Sequence, residues 1–430
     1  MIQKFEKIKS LRGELLLAGD KSISHRAVMF ASMAEGKSVI RNCSESEDVT
    51  STMNCFAKMG CEFKREGNTI EITGKGIGKL TPPQSQLDAG NSGTTTRLIS
   101  GILAAQNFES EIIGDVSLSK RPMKRIVEPL KLMGANLSAN ENGTLPLKIF
   151  PSDQIHSVNY TFQVASAQVK SAMILLAIHL DEESEFIEPV PTRNHTELML
   201  GLKTVLAECG TKIYASKKNY PKPADITVPA DISSAAFFIV AALLVKDSEI
   251  IIRNVSLNPT RTGLVTVLQQ MGGDIQILNH RKEGGEDTGD IRVASSQLKN
   301  VVIPKEIIPN IIDEIPILSV AGLLAEGNFR IENAKELRVK ESDRIKSLCD
   351  NYKKIGLEVV EFEDGFELRG KPSSNSVEFE SYDDHRIAMT FGVLSSLLEN
   401  GGTVSGFECV GISNPKFYEQ LTNLAYNSNI

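Results

Sequence analysis

The chain of 430 residues is long enough for two domains of about 200 residues each. Hydrophobic residues make up 41% of it and charged residues 23%, proportions that exclude a long disordered chain and fit a folded soluble one. Its formal net charge of −7 argues against a nucleic-acid surface, and no apolar run reaches the length of a bilayer. Met1-Ile-Gln-Lys-Phe-Glu has no hydrophobic signal core, so a cytoplasmic location is expected. The six cysteines and six histidines show no CxxC, HxH or HExxH spacing. Reduced, packed thiols and no metal site are expected.

Residues 1 to 18 alternate as one or two strands. Asp20-Lys21-Ser22 then opens a helix, Ser24 to Ala34, apolar nearly all round and therefore buried. A glycine and a strand from Ser38 to Arg41 follow. The same pattern returns at Ser92, Ser166, Ser233, Asp313 and Asp384. Counted from Ser22, the starts lie 70, 74, 67, 80 and 71 residues apart. A period that steady specifies repeated supersecondary units. An amphipathic helix from Glu47 to Met59 follows the first unit's strand and stops at Gly60, the left-handed C-cap position. Comparable endings recur as LMGANL at Leu132, AECGTKI at Ala207, QMGGDI at Gln270 and KIGLEV at Lys354. Each unit is thus expected to hold a buried helix, an amphipathic helix and several strands.

GKGIGK at Gly74 lacks the Ser/Thr and the apolar helix of a phosphate loop, and reads as a turn at a strand edge. The Pro- and Lys-rich segment 217–229 is the expected linker between two groups of three units. Residues 284–289 are expected to form a surface loop. The fold class predicted is α/β (α+β).

Buried helices packed side by side bring their polar starts to one surface. Helix N-termini favour anions, and a site for small, multiply anionic ligands follows as a hypothesis. The plainer alternative is that the Ser and Asp starts are N-caps. Local cations tilt the balance. Lys21 supplies a point charge and Arg26 a two-pronged clamp. Asn91-Ser92-Gly93-Thr94-Thr95-Thr96-Arg97 pairs a bare glycine, open to close approach of a ligand, with hydroxyls and an arginine. Arg121 lies in the basic run 120–125, fixed by the proline after it, although such runs are usually solvated faces. In Arg338–Arg344, Lys340 and Arg344 are read as facing the same way on one helix. Glu341 beside them is either a salt-bridge partner or a proton shuttle. Asp313 heads the fifth buried helix and Asp383-Asp384-His385-Arg386 the sixth. His385 reads as a packed or hydrogen-bonded residue rather than a catalyst.

The motifs GDKSISHRA, LDAGNSGTTTRL, KRP, SAQVKSA, LRVKESDRI and DDHRIAM, in this order from residue 13 to 421, resemble those of the 5-enolpyruvylshikimate-3-phosphate synthases, within the enolpyruvyl transferases. The resemblance implies two similar domains, each of three helix-and-strand units with buried parallel helices. They would span residues 19–226, and 1–18 plus 227–430, with the active site in the cleft between them. It implies transfer of the enolpyruvyl group of phosphoenolpyruvate to the 5-hydroxyl of shikimate 3-phosphate, without cofactor, metal, nucleic acid or membrane, by a monomer whose domains close around the substrate.

By motif position, the resemblance makes Lys21, Ser22, Arg26, Ser166, Ala167, Gln168, Arg193, Asp313 and Lys340 shikimate 3-phosphate ligands. Lys21, Gly93, Arg121, Gln168, Arg344 and Arg386 become phosphoenolpyruvate ligands, with Thr94 and Arg97 as weaker candidates. Asp313, Glu341 and Lys21 take catalytic roles: Asp313 as base for the 5-hydroxyl, Glu341 in protonation at C3. PTRNHTE at Pro191 resembles the form of a subgroup called class II, which is what points to Arg193. Two departures stand out. Ile412 occupies the place of a family lysine, with Lys416 nearby, and Glu336 stands where some members carry a ligand asparagine. The sister transferase acting on UDP-N-acetylglucosamine usually carries a reactive cysteine in the loop corresponding to 114–121, and GDVSLSKR has none. An RNA 3′-phosphate cyclase would need a nucleotide site and a catalytic histidine motif. A non-catalytic phosphometabolite binder would not need the two acids.

Overall fold

A computed structural model describes residues 1–373 and 376–426. The chain divides into two compact units. The N-terminal unit comprises Ala18–Val228 and Lys282–Glu286. The C-terminal unit comprises Met1–Leu17, Pro229–Arg281 and the described residues from Asp287 onward.

Three buried helices run through the N-terminal unit: Lys21–Met33, Gly93–Ala104 and Ala167–Ala177. Beyond their first turns they present Ala, Val, Leu, Ile and Met on every side, and all those residues are buried. The second and third meet at Gly101, where a Cβ would stand 2.0 Å from the carbonyl oxygen of Ala172. Only glycine permits that approach. The C-terminal unit has the corresponding set Ile232–Leu244, Ile315–Leu324 and His385–Leu397, with Phe237, Phe238 and Phe391 fully buried among them.

Among the described residues, six small sheets accompany these helices. In five of them the strand after a buried helix pairs in parallel on one side and antiparallel on the other. Ser184–Glu188 lies parallel to Asn159–Thr161 and antiparallel to Gly210–Ala215. Leu87–Asp88 and Ser110–Ile113 flank the second helix in the same way. Two parallel partners come from far along the chain. Arg12–Leu16, directly before the first buried helix, pairs with Glu249–Ser256 in the C-terminal unit, Arg12 opposite Glu249. Asp225–Thr227, directly before the fourth, pairs with Glu35–Arg41 in the N-terminal unit, Asp225 opposite Val39. The stretch expected to be a linker therefore contains a sheet strand.

Three further local expectations need correction. AECG does not end a helix: Lys203–Ala207 and Gly210–Ala215 form an antiparallel hairpin around Glu208-Cys209. The helix of that unit is the five-residue His195–Met199, because the alternating Thr204-Val205-Leu206 suits a strand better than a helix face. The loop at 284–289 is shorter than expected. Gly284 and Gly285 take the positive-φ turn, and Glu286–Ala294 is already strand. Lys340 and Arg344 do not share a helix, since a short 3₁₀ turn, Lys335–Val339, precedes Lys340 and the α-helix begins at Arg344. Among the described residues no single helix is long and apolar enough to cross a membrane. Cys209 is exposed and the other five cysteines are buried thiols.

Candidate functional site

Three of the expected polar starts, Ser92, Ser166 and Asp384, are caps, as the plainer alternative held. In the first and fourth buried helices the cap is Asp20 or Asp231 rather than Ser22 or Ser233, and the N-cap position of the fifth is Glu314, not Asp313, with no side-chain cap bond. Asp20, Ser92, Ser166, Asp231 and Asp384 each accept a hydrogen bond from a backbone N–H in the first turn of their own helix. Five of the six buried helices thus occupy part of their N-terminal donor set internally. Attraction for an anion must then come largely from the lysines and arginines placed around those starts.

In the N-terminal unit, Lys21 is the first residue of its helix and its Nζ lies 2.9 Å from Asp48 Oδ2. Arg26 sits one turn further and is buried. Its three donating nitrogens all go to neutral oxygens: Nε to Thr196 Oγ1 at 2.7 Å, Nη1 to the Ser22 carbonyl at 3.0 Å and Nη2 to Ser171 Oγ at 2.9 Å. Burial lowers its pKa to about 10, against the pull of Glu197, Asp20 and Glu286, and the charge of Arg193 pushes the same way as burial. Arg193, half-buried, is thus near enough to Arg26 to repel it. Behind Thr196, the fully buried Lys170 is 2.8 Å from Glu188 and 2.7 Å from Glu197. The repulsion between Arg26 and Arg193 and the neutral partners of Arg26 leave positive charge here that negative charge could offset.

A second group of the same unit forms around Gly93. Arg97 Nη1 donates to Gln168 Oε1, and Gln168 Nε2 donates to Thr94 Oγ1 at 3.2 Å. A Cβ on Gly93 would lie 3.3 Å from Arg97 Nη1 and 3.4 Å from Arg121 Nη1, so both guanidinium groups border the bare backbone. Arg121 donates to Asn91 Oδ1 at 3.0 Å, and Asn91 in turn donates to Asp115 Oδ2 at 2.7 Å. Ser166 caps the third helix, and Ala167 is its first helical residue. A hydroxyl chain ties the first and second helices together: His25 Nδ1 to Thr52 Oγ1, and Thr52 Oγ1 to Thr95 Oγ1, each 2.7 Å.

In the C-terminal unit the charges are arranged around Arg344, which is 1% exposed. Its Nε donates to Asp384 Oδ2 at 2.8 Å, its Nη2 to Glu341 Oε2 at 2.6 Å and its Nη1 to Asp313 Oδ1 at 3.2 Å. Burial disfavours its charge, but Asp384, Glu341 and Asp313 outweigh that and raise its pKa above the ordinary value. Lys340 Nζ approaches the same Asp313 oxygen at 3.6 Å. Arg386 donates through Nη1 to the Asp313 backbone carbonyl at 3.0 Å. Asp313, Glu341, Lys340, Arg344 and Arg386 therefore gather in one place although 73 residues separate the outermost pair.

Sequence reasoning missed Thr196, Ser171 and Lys170 in one unit, and Arg261 and Glu314 in the other, and read Ser233 only as a helix start. Ser171 and Lys170 were within reach, since polar residues inside an otherwise apolar helix need partners. Of the residues marked as departures, Glu336 is exposed, Ile412 is half-buried against the hydrophobic core and Lys416 is exposed. His385 is buried at the start of its helix.

The family model of EPSP synthase (3-phosphoshikimate 1-carboxyvinyltransferase) matches residues 5–421. The 3-phosphoshikimate 1-carboxyvinyltransferase of Thermoanaerobacter pseudethanolicus is 44% identical over 420 residues, covering 97% of this chain and 99% of that one. The solved structure of EPSP synthase from Acinetobacter baumannii superposes with a TM-score of 0.88 at 39% identity, covering 98% of each chain. The enolpyruvyl transferase NikO from Streptomyces tendae shares the fold, with a TM-score of 0.72 at 13% identity over 98% of this chain and 96% of that one.

Proposed function

The chain belongs to the EPSP synthase (3-phosphoshikimate 1-carboxyvinyltransferase) family, and from that premise we propose how its side chains divide the work. The enzyme transfers the enolpyruvyl group of phosphoenolpyruvate to the 5-hydroxyl of shikimate 3-phosphate and releases phosphate, a step of the shikimate pathway. In our reading the 5-hydroxyl attacks C2 of phosphoenolpyruvate as C3 gains a proton, and the tetrahedral adduct then loses phosphate from C2 and a proton from C3, restoring the double bond of the enolpyruvyl group. Two anions must be held together while two protons move.

The anion-holding role falls to Lys21, Ser22, Arg26, Arg193, Ser166, Ala167, Gln168 and Lys340 for shikimate 3-phosphate. It falls to Lys21, Gly93, Arg121, Gln168, Arg344 and Arg386 for phosphoenolpyruvate, with Thr94 and Arg97 supporting Gln168. Fixing both substrates against their mutual repulsion lowers the barrier by several kcal/mol, as an order of magnitude. Asp313 accepts the 5-hydroxyl proton and Glu341 serves C3. The observation that carries this assignment is that Arg344 grips both carboxylates at once, at 3.2 Å and 2.6 Å. A pure binding protein has no use for two acids clamped beside its cations. The active form is proposed to be a cytoplasmic monomer, which sedimentation of the purified chain tests.

Phosphate release from phosphoenolpyruvate tests the acceptor. Shikimate 3-phosphate in one reaction and UDP-N-acetylglucosamine in another should give release in the first only. Release with the nucleotide sugar alone would overturn the acceptor assignment.

A further inference from the structure

The sixth cap position differs from the other five. Glu314 stands at the N-cap of Ile315–Leu324, and its side chain makes no capping bond to that helix. Its side chain turns elsewhere, into a buried line of charge within the C-terminal unit. Arg261, 2% exposed, donates through Nη2 to Ser233 Oγ at 2.6 Å and lies 3.6 Å from Asp231 Oδ1. Ser233 Oγ donates to Glu314 Oε1. That carboxylate oxygen is 3.6 Å from Arg386 Nη1, the same nitrogen that donates to the Asp313 carbonyl. Glu314 is 1% exposed, and its Oε2 is buried with no hydrogen-bond partner among the described residues.

A buried carboxylate that forgoes its cap and leaves one oxygen unbonded is costly to the fold unless a nearby cation uses its charge. The cation in reach on the site side is Arg386. On the far side, Ser233, itself held by Arg261, anchors the carboxylate and resists its following Arg386 when that side chain moves toward a ligand. We infer that Glu314 is a positioning residue for the enolpyruvyl transfer: anchored by Ser233 and Arg261, it aims the Arg386 guanidinium and braces it against the backbone of Asp313. The inference rests on the proposed role of Arg386 as a phosphoenolpyruvate ligand. Without this brace Arg386 must be ordered at the moment of binding, and the affinity for phosphoenolpyruvate falls by that cost.

The test is steady-state kinetics with each substrate varied in turn. Glu314→Gln keeps the shape and the acceptor for Ser233 but removes the charge. It should raise KM for phosphoenolpyruvate about ten-fold, the usual size for one charge-assisted contact, and leave KM for shikimate 3-phosphate unchanged. Ser233→Ala, which keeps every charge, should shift the same constant in the same direction by less, and guards against a folding defect in the first variant. In an Arg386→Gln background, Glu314→Gln should raise KM no further, because residues acting through one another are not additive. Equal rises for both substrates, or effects that multiply in the double variant, would overturn the inference. If Arg386→Gln alone left KM for phosphoenolpyruvate at its wild-type value, the assignment of Arg386 itself would fall.

Discussion

Arg26 and Arg344 are equally buried, yet their surroundings are opposites. In the N-terminal unit the Arg26 guanidinium rests on a backbone carbonyl and two hydroxyls. In the C-terminal unit Arg344 is held by three carboxylates. A buried cation bonded only to neutral oxygens is poorly compensated for its lost hydration, and burial lowers the pKa of Arg26 to about 10. A buried cation on carboxylates shares its charge with them and fixes where the acids point. In the proposed division of labour the same residue type is a receptor for shikimate 3-phosphate in one unit, while in the other it fixes the two acids as well as facing phosphoenolpyruvate.

Substitutions can break that contrast. The largest effect is expected from the acids. Glu341→Ala and Asp313→Ala should each lower kcat about a thousand-fold, within the range for a lost general acid or base, while anion binding to the N-terminal unit persists. Normal turnover in both would remove the assigned roles. Arg344→Met should leave three carboxylates without their cation and destabilise the fold by about 3 kcal/mol, read as a lowered denaturant midpoint. Arg26→Gln should be better tolerated by the fold but weaken shikimate 3-phosphate binding about a hundred-fold, or roughly 2.7 kcal/mol, measured by titration calorimetry.

Proton linkage sharpens the contrast further. Burial holds the His25 imidazole at a pKa of about 3, below its ordinary 6.5, opposed by Asp48 and assisted by Lys21 and Arg26. The unfolded chain takes up this proton below pH 6.5 and the folded chain does not. Stability is therefore unaffected by His25 above pH 6.5 and falls as the pH drops toward 3, by about 1.4 kcal/mol per unit at most. A His25→Gln variant should show a shallower acid slope in chemical denaturation. An unchanged slope would place the proton uptake elsewhere. The smallest effect is expected at Gly93. The Cβ of Gly93→Ala would press on the mobile ends of Arg97 and Arg121, so KM for phosphoenolpyruvate should rise only several-fold, about 1 kcal/mol.

The repeats were readable because each buried helix carries its own signature, apolar beyond a polar first turn. Lys21, Arg26, Gln168, Asp313 and Arg386 were readable because they sit in or beside those turns, whereas Arg121, Arg193, Lys340, Glu341 and Arg344 were readable only from charged motifs elsewhere. Pairings formed over long sequence distances left no such trace. Nothing in Arg12–Leu16 says that its parallel partner is Glu249–Ser256 rather than the strand at 35–41. Lys340 looked helical because four-residue spacing to Arg344 fits a helix, yet the chain reaches Asp313 by a short turn instead. Arg261 and Glu314 stayed hidden for another reason. Each looks like an ordinary surface charge until the fold buries it, and only burial turns a charge into a structural commitment.

The most direct test of the division of labour sets Arg26→Gln beside Asp313→Asn in one experiment. Shikimate 3-phosphate binding is measured by calorimetry, and phosphate release is followed on the same samples with phosphoenolpyruvate at saturation. The account predicts that Asp313→Asn binds with near wild-type affinity and releases almost no phosphate. Arg26→Gln should bind poorly but approach wild-type release once shikimate 3-phosphate is raised to saturation. The reverse pattern, with binding lost in Asp313→Asn and chemistry lost in Arg26→Gln at saturation, would contradict it.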